Sequence, residues 1–315
     1  MKTSRFTNRS MHDHQLLDRL ITLMVYAVFV VLAVFSAYYF WDRYVHPGDM
    51  SAVELGITHL EQVVQDNPDD PSARLSLIQY YIDNQDYEEA IQQSQQVLSA
   101  YPENPGALLL LGIAYTKTGN YQDAIDALEH FATLRRSEEE ILLDKVLETS
   151  LYYIGQNYLA ISQPQKAITA LTEALEIDRT DADAMYLLGT AYAQTGDHQH
   201  AVDVYMDAVR FVPDYAEAYR GMSESYKQLN QGDLETYALG MEFFSRRDYT
   251  QAKQYLERSA ANLPEYSPVF LGLALTYEQL GELQLAQENI DRVLVLDPDS
   301  ISAQNLLMRI QSTNQ

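Results

Sequence analysis

The sequence predicts an all-α protein: an apolar N-terminal helix followed by a solenoid of antiparallel helix pairs. Three observations carry this. A pattern of glycine, tyrosine and alanine recurs at a fixed interval through most of the chain, the interval from Gly155 to Gly189 equalling that from Tyr81 to Tyr115. Between its copies the apolar residues fall at helical spacing, interrupted by glycine and proline at fixed places. Near the start, residues 20–41 read LITLMVYAVFVVLAVFSAYYFW without a charge.

In chain order, residues 1–19 form a short tail with Lys2, Arg5, Arg9 and Arg19. Residues 20–41 are predicted to be a transmembrane helix, because a helix rises about 1.5 Å per residue and a bilayer core is about 30 Å thick. Tyr38, Tyr39 and Trp41 stand at its end, where amphipathic rings favour the headgroup level. A cleaved secretory signal would have an apolar stretch of about 7–15 residues and a small-x-small site; this stretch is longer, and VFSAYY fits such a site poorly. Only Arg43 follows the span closely, so the excess of positive charge before it places the N-terminus in the cytoplasm. The expected location is a single pass through a cytoplasmic (inner) membrane, with everything beyond on the extracytoplasmic side. The one N-x-S/T sequon, Asn8-Arg9-Ser10, lies before the span, which fits a bacterial envelope better than a eukaryotic secretory route. Residues 42–49 read as a linker.

From residue 50 onward the repeat takes over. Gly112, Gly155 and Gly189 each precede a tyrosine by three, at Tyr115, Tyr158 and Tyr192. An alanine follows nine later, at Ala124, Ala167 and Ala201. Glycine in a first helix, and alanine in a second, let the two helices approach closely, with the tyrosine wedged into the seam. TGN and TGD break the chain between helices, with Gly119 and Gly196 suited to left-handed caps. Pro102, Pro213, Pro264 and Pro298 stop the second helices. This pattern resembles the tetratricopeptide repeat (TPR) family, whose unit of about 34 residues is two antiparallel helices. The resemblance covers about residues 50–312 and implies a right-handed superhelix with a concave face.

In that register a half repeat occupies 50–67, and full repeats occupy 71–104, 105–138, 148–181, 182–215, 233–266 and 267–300. Residues 139–147 are extra and lengthen a helix or make a loop. Residues 216–232 match only a first helix and read as an unpaired helix within the array. Residues 301–315 read as the solvating cap helix such arrays need.

Composition narrows the function. The chain has 315 residues, 47% of them apolar, and a net charge of −24. So acidic a chain lacks the basic footprint a nucleic-acid partner requires. With no cysteine, thiolate catalysis and cysteine-ligated zinc or iron–sulfur centres are excluded. His198 occupies the position of Tyr87, Tyr121 and Tyr249 in other copies and reads as a packing position; His200 beside it points to solvent. DRTDAD at 178–183 lacks the glycine and terminal glutamate of a calcium loop and reads as a turn between repeats. The expectation is no metal, no cofactor and no catalytic residue, since the anchor and the array leave no room for a separate catalytic domain.

The TPR resemblance implies that positions two, five, nine and twelve of each first helix line the concave groove. Here they include Leu75, Leu109, Ile113, Tyr152, Leu159, Tyr186, Tyr237, Met241, Phe244, Leu271 and Leu275, with Gln79, Gln156 and Thr190 among the polar ones. The basic clamp by which some relatives hold C-terminal carboxylates is absent, because Lys117 stands nearly alone. The expected partner is a protein, a peptide or helix with apolar anchors and basic flanks. The expected role is a membrane-anchored interaction scaffold that assists assembly of an envelope complex. The alternatives are a holdase-like chaperone accessory of protein export, or the same scaffold facing the cytoplasm. Self-association through the terminal repeats stays open.

Overall fold

The structure is a computed structural model, and it describes residues 24–26, 28–39, 51–136 and 144–313. Its contacts divide the chain into two units, Met1–Pro68 and Asp69–Gln315. All regular structure among the described residues is helical.

In the first unit, residues 24–26 and 28–39 are helical; we label the latter stretch α1. Its apolar side chains are exposed, Phe29 at 65% and Phe35 at 69%. Among the described residues no helix is long and apolar enough to cross a membrane. The predicted transmembrane helix 20–41 falls partly outside the described residues, and the tail 1–19 and the linker 42–49 fall wholly outside them. Helix α2 (Ala52–Asp66) begins with a capping box. The Glu54 amide donates to Ser51 Oγ at 3.2 Å, and the Ser51 amide donates to Glu54 Oε2 at 2.9 Å.

The second unit runs through α3 (Pro71–Asp83), α4 (Tyr87–Ala100), α5 (Pro105–Thr118), α6 (Tyr121–Arg135), α7 (Lys145–Ala160), α8 (Pro164–Ile177), α9 (Ala182–Gln194) and α10 (His198–Phe211). It continues with α11 (Ala216–Gln228), α12 (Gly232–Ser245), α13 (Tyr249–Asn262), α14 (Ser267–Gln279), α15 (Leu283–Leu296) and α16 (Ile301–Thr313). Each helix packs on the next in sequence, as a quasi-one-dimensional stack requires.

The glycines explain the closeness of each pair. A Cβ on Gly112 would lie 2.4 Å from Leu128 Cγ, and one on Gly155 would lie 2.4 Å from Leu171 Cγ. Leu128 and Leu171 are fully buried, each contributing about 1.5–3 kcal/mol by leaving water. The seam tyrosines tie successive units together. Tyr115 Oη accepts from Gln95 Nε2 at 2.9 Å, and Tyr277 Oη donates to Glu257 Oε1 at 2.7 Å. Tyr158 Oη donates likewise to Glu129. In each case the hydroxyl reaches the preceding second helix.

Helix ends follow local chemistry. The second helices α4, α10, α13 and α15 stop shortly before Pro102, Pro213, Pro264 and Pro298, because the residue before proline is pushed out of the α region. The turns from first to second helix pass through a left-handed residue. That residue is glycine at Gly119 (φ 81°), Gly196 (φ 84°) and Gly281 (φ 75°), but Gln85, Ser162, Asn230 and Arg247 hold the same place elsewhere. A side chain there costs about 1–2 kcal/mol. Arg247→Gly is therefore expected to stabilise the protein by about 1 kcal/mol, read as a higher urea midpoint with an unchanged m-value.

Those left-handed turns correct one expectation. They recur at the full repeat interval from Gly196 to Asn230, after only half that interval at Arg247, and at the full interval again at Gly281. Helix α11, expected to be unpaired, packs on α10 and on α12, and α12 packs equally on α13. One helix thus closes the unit before it and opens the unit after it, shifting the array by half a repeat. Around the extra residues 139–147, Lys145, Val146 and Leu147 extend the start of α7, and Leu147 is fully buried; residues 139–143 lie outside the described residues.

The stack has distinguishable sides. First helices also reach the next first helix, α3 to α5, α5 to α7, α7 to α9 and α9 to α11. After the half-repeat shift the same relation runs α12 to α14 and α14 to α16. Among the described residues, successive second helices do not meet as closely. Within this unit the first helices therefore form the inner face.

Candidate partner-binding face

Position five of each first helix sets up a column along the inner face: Leu75, Leu109, Tyr152, Tyr186 and then Arg220. Leu75, Leu109, Ile113, Tyr152, Tyr186, Phe244 and Leu271 are half-buried, each leaving part of its side chain to solvent. Leu109, Tyr152, Tyr186, Phe244 and Leu271 rest on the buried clusters beneath them. Tyr237 and Met241 are corrections to the predicted groove. They are 6% and 5% exposed and belong to the core, because α12 is covered by α11, α13 and α14 at once. Phe244 meets Tyr249 with ring centroids 5.6 Å apart, at the edge of the same packing.

A polar constellation on this face lies between α9 and α11. A recess of about 380 Å³ is lined by Tyr186, Thr190 and Gln194 from α9 and by Glu217, Arg220, Glu224, Ser225 and Gln228 from α11. Tyr205 and His198 of α10 close its floor. Tyr205 is held on both sides by glycine. A Cβ on Gly189 would lie 2.7 Å from its ring, and one on Gly221 would lie 2.4 Å from Cζ. Its hydroxyl is 3.1 Å from Thr190 Oγ1, and burial raises its pKa to about 12. Tyr186 lies over this ring at 5.9 Å and over Tyr215 at 5.3 Å. Tyr215 Oη donates to Asp183 Oδ1 at 2.7 Å.

Arg220 is committed to Glu242, with Nε 3.0 Å from Oε1, and Glu242 also takes Arg246 at 2.9 Å. Among the described residues Glu217 and Glu224 have no ion pair at bonding distance. Ser225 is 1% exposed, and its Oγ makes no hydrogen bond; neither does His198 Nδ1. His198 thus opens a helix and faces the recess, whereas His200 stacks on Tyr192 at 5.3 Å and binds Asp197 at 2.7 Å. Among the described residues no group of three His, Cys, Asp or Glu side chains is placed to hold a metal ion.

A second constellation lies at the seam between α7 and α9. Lys145 is paired with Asp178, and Asp181 caps α9 through the Asp183 and Ala184 amides at 2.9 and 3.0 Å. Burial, and then a hydrogen bond with Asp181, raise the Glu148 carboxyl from 4.5 to about 7. The folded protein therefore holds a proton that the unfolded chain releases near pH 4.5. Stability from this site is greatest below pH 4.5 and falls as the pH rises through about 7. Glu148→Gln is expected to remove that slope and to raise the melting temperature at about pH 8 relative to the parent. A scanning-calorimetry series from about pH 5 to 8 checks it.

The sequence does not single out Glu217, Arg220 or Glu224, because α11 reads as a helix outside the repeat order. Their signal is nonetheless present: they stand one full repeat after Asp183, Tyr186 and Thr190.

This arrangement, stacked helix pairs with a continuous inner face, defines a helical-repeat interaction scaffold. Two stretches of it carry the tetratricopeptide repeat. Models described as Tetratricopeptide repeat match residues 152–216 and 243–310. The model of Anaphase-promoting complex, cyclosome, subunit 3 matches residues 53–131. Among curated proteins the chain is similar to the BBSome complex member BBS4 of Bos taurus, 24% identical over 154 residues. That match covers 49% of this chain and 26% of the relative. It is similar also to Anaphase-promoting complex subunit 6 of Arabidopsis thaliana, 24% identical over 175 residues, covering 49% of this chain and 32% of the relative. The matches thus span about a quarter to a third of the curated relatives' length. Among solved structures, a MamA protein is 25% identical with a TM-score of 0.50, covering 57% of this chain and 93% of that one. MamA of Desulfovibrio magneticus RS-1 has a TM-score of 0.51 at 20% identity, covering 56% and 95%, and is a likeness of fold.

Proposed function

We propose that this chain is a non-enzymatic, membrane-anchored scaffold that binds a partner protein on the inner face of its TPR array and helps assemble an envelope complex. One observation carries the binding reading. Side chains of a single register column stay half-buried along the inner face from Leu75 to Tyr186 and lead into a recess at Arg220. Such a surface suits an extended peptide or helix with apolar anchors. The relatives favour the same role in kind, since two are named as members of multi-subunit assemblies.

The anchor rests on the uncharged sequence 20–41 and on the excess of positive charge before it. In cells expressing the full chain, the protein should stay in the membrane pellet after alkaline carbonate extraction. Added protease should digest the array in spheroplasts. Release by carbonate would remove the anchor, and an array resistant to external protease would reverse the orientation. Affinity purification of the full chain from membranes should return one partner in fixed stoichiometry; a heterogeneous set of exported chains would instead support the holdase reading.

A further inference from the structure

We propose that the recess between α9 and α11 is the seat of one basic side chain, an arginine or lysine, supplied by the partner protein. This deepens the inner-face reading and rests on it. The recess combines the three features that a long cationic side chain needs. Its wall is the half-buried ring of Tyr186, which rests on the buried Tyr205 ring 5.9 Å away and suits the apolar stem and attracts a cation over its open face. Glu217 and Glu224 line it with carboxylates that no basic group among the described residues bonds. Beneath them Ser225 Oγ and His198 Nδ1 have no hydrogen-bond partner. A guanidinium or ammonium brings only donors, and it would satisfy the serine oxygen and the imidazole nitrogen as acceptors.

The site is built rather than incidental. Gly189 and Gly221 leave the space that the Tyr205 ring fills, and Thr190 fixes its hydroxyl. The guanidinium that lines the recess, on Arg220, is turned to Glu242, so it does not neutralise the two carboxylates at bonding distance. The net charge of −24 adds a long-range attraction for a basic partner.

The test uses the full chain in detergent micelles and four fluorescent pools of short peptides, degenerate except for a central arginine, lysine, norleucine or glutamate. The arginine and lysine pools are expected to bind about tenfold more tightly than the norleucine pool, a difference of about 1.4 kcal/mol, and to weaken as salt is raised. The double variant Glu217→Gln, Glu224→Gln should abolish that preference, while Glu103→Gln, at an exposed loop, should retain it. Circular dichroism on each variant confirms that the helices are intact. Equal or tighter binding of the norleucine pool, with no change in the double variant, would overturn the basic seat and leave the inner-face reading standing. Preference for the glutamate pool would overturn it in favour of anion recognition by Arg220. Failure of all four pools to bind would overturn the seat and the inner-face reading together.

Discussion

Gly155→Val should lower the stability of the array by about 3 kcal/mol, the upper end for overpacking a core. The glycine sits in the middle of α7, where intrinsic preference favours almost any other residue by up to about 1 kcal/mol. Packing reverses that preference. A Cβ there would stand 2.4 Å from Leu171 Cγ and 2.7 Å from its Cδ2, and Leu171 is fully buried with no room to retreat. The branched methyls of valine add to the conflict. Urea unfolding followed by circular dichroism reads the loss. Combining Gly155→Val with Leu171→Ala should recover part of it, since the cavity made by one change takes the bulk added by the other. Additive losses in that cycle would mean that the glycine is not there for helix approach.

Leu256→Ala should cost about 2–5 kcal/mol, as deletion of a fully buried leucine does. Leu256 is 0% exposed and lies against two glycines at once. A Cβ on Gly240 would be 2.7 Å from its Cγ, and one on Gly272 would be 3.4 Å from its methyls. It therefore pegs α12 and α14 together just beyond the half-repeat shift. Because each unit of a stack holds only its neighbours, the damage should be regional. Amide exchange should accelerate in α12 to α15 while α3 to α8 keep their protection. Uniform acceleration through the whole unit would show a single cooperative core instead.

Much of this architecture can be read from the sequence because the repeat states its own geometry. The spacing from Gly155 to Tyr158 and on to Ala167 fixes which side chains meet, and Pro102 or Pro264 marks where a helix must stop. The turn glycines Gly119 and Gly196 are equally legible, since their left-handed backbone suits glycine. Ser162 and Arg247 are not, because nothing in a serine or an arginine announces a positive φ. That difficulty hides the half-repeat shift. Asn230 makes the same turn as Gly196, so α11 has a partner, but the next turn, at Arg247, comes after half the usual interval and breaks the period.

The candidate face is legible in its apolar part and not in its polar part. Tyr152 and Tyr186 follow from the register and stay half-buried on their first helices. Tyr237 and Met241 share that register and yet are buried, since α12 has neighbours on several sides. The same fact accounts for the apolar side chains that α12 carries on several faces, Leu234, Met241 and Phe243 among them. Glu217, Arg220 and Glu224 escape a sequence reading for the opposite reason: they lie on a helix whose place in the order only three-dimensional packing reveals.

The most direct measurement is photocrosslinking in cells that express the full chain, with a photoreactive residue at Tyr186 on the inner face or at Tyr121, which opens the second helix α6 and is exposed. A discrete crosslinked partner from Tyr186, weak or absent from Tyr121, is the expected result. Crosslinks from Tyr121 alone, with none from Tyr186, would contradict an inner face built to hold a partner.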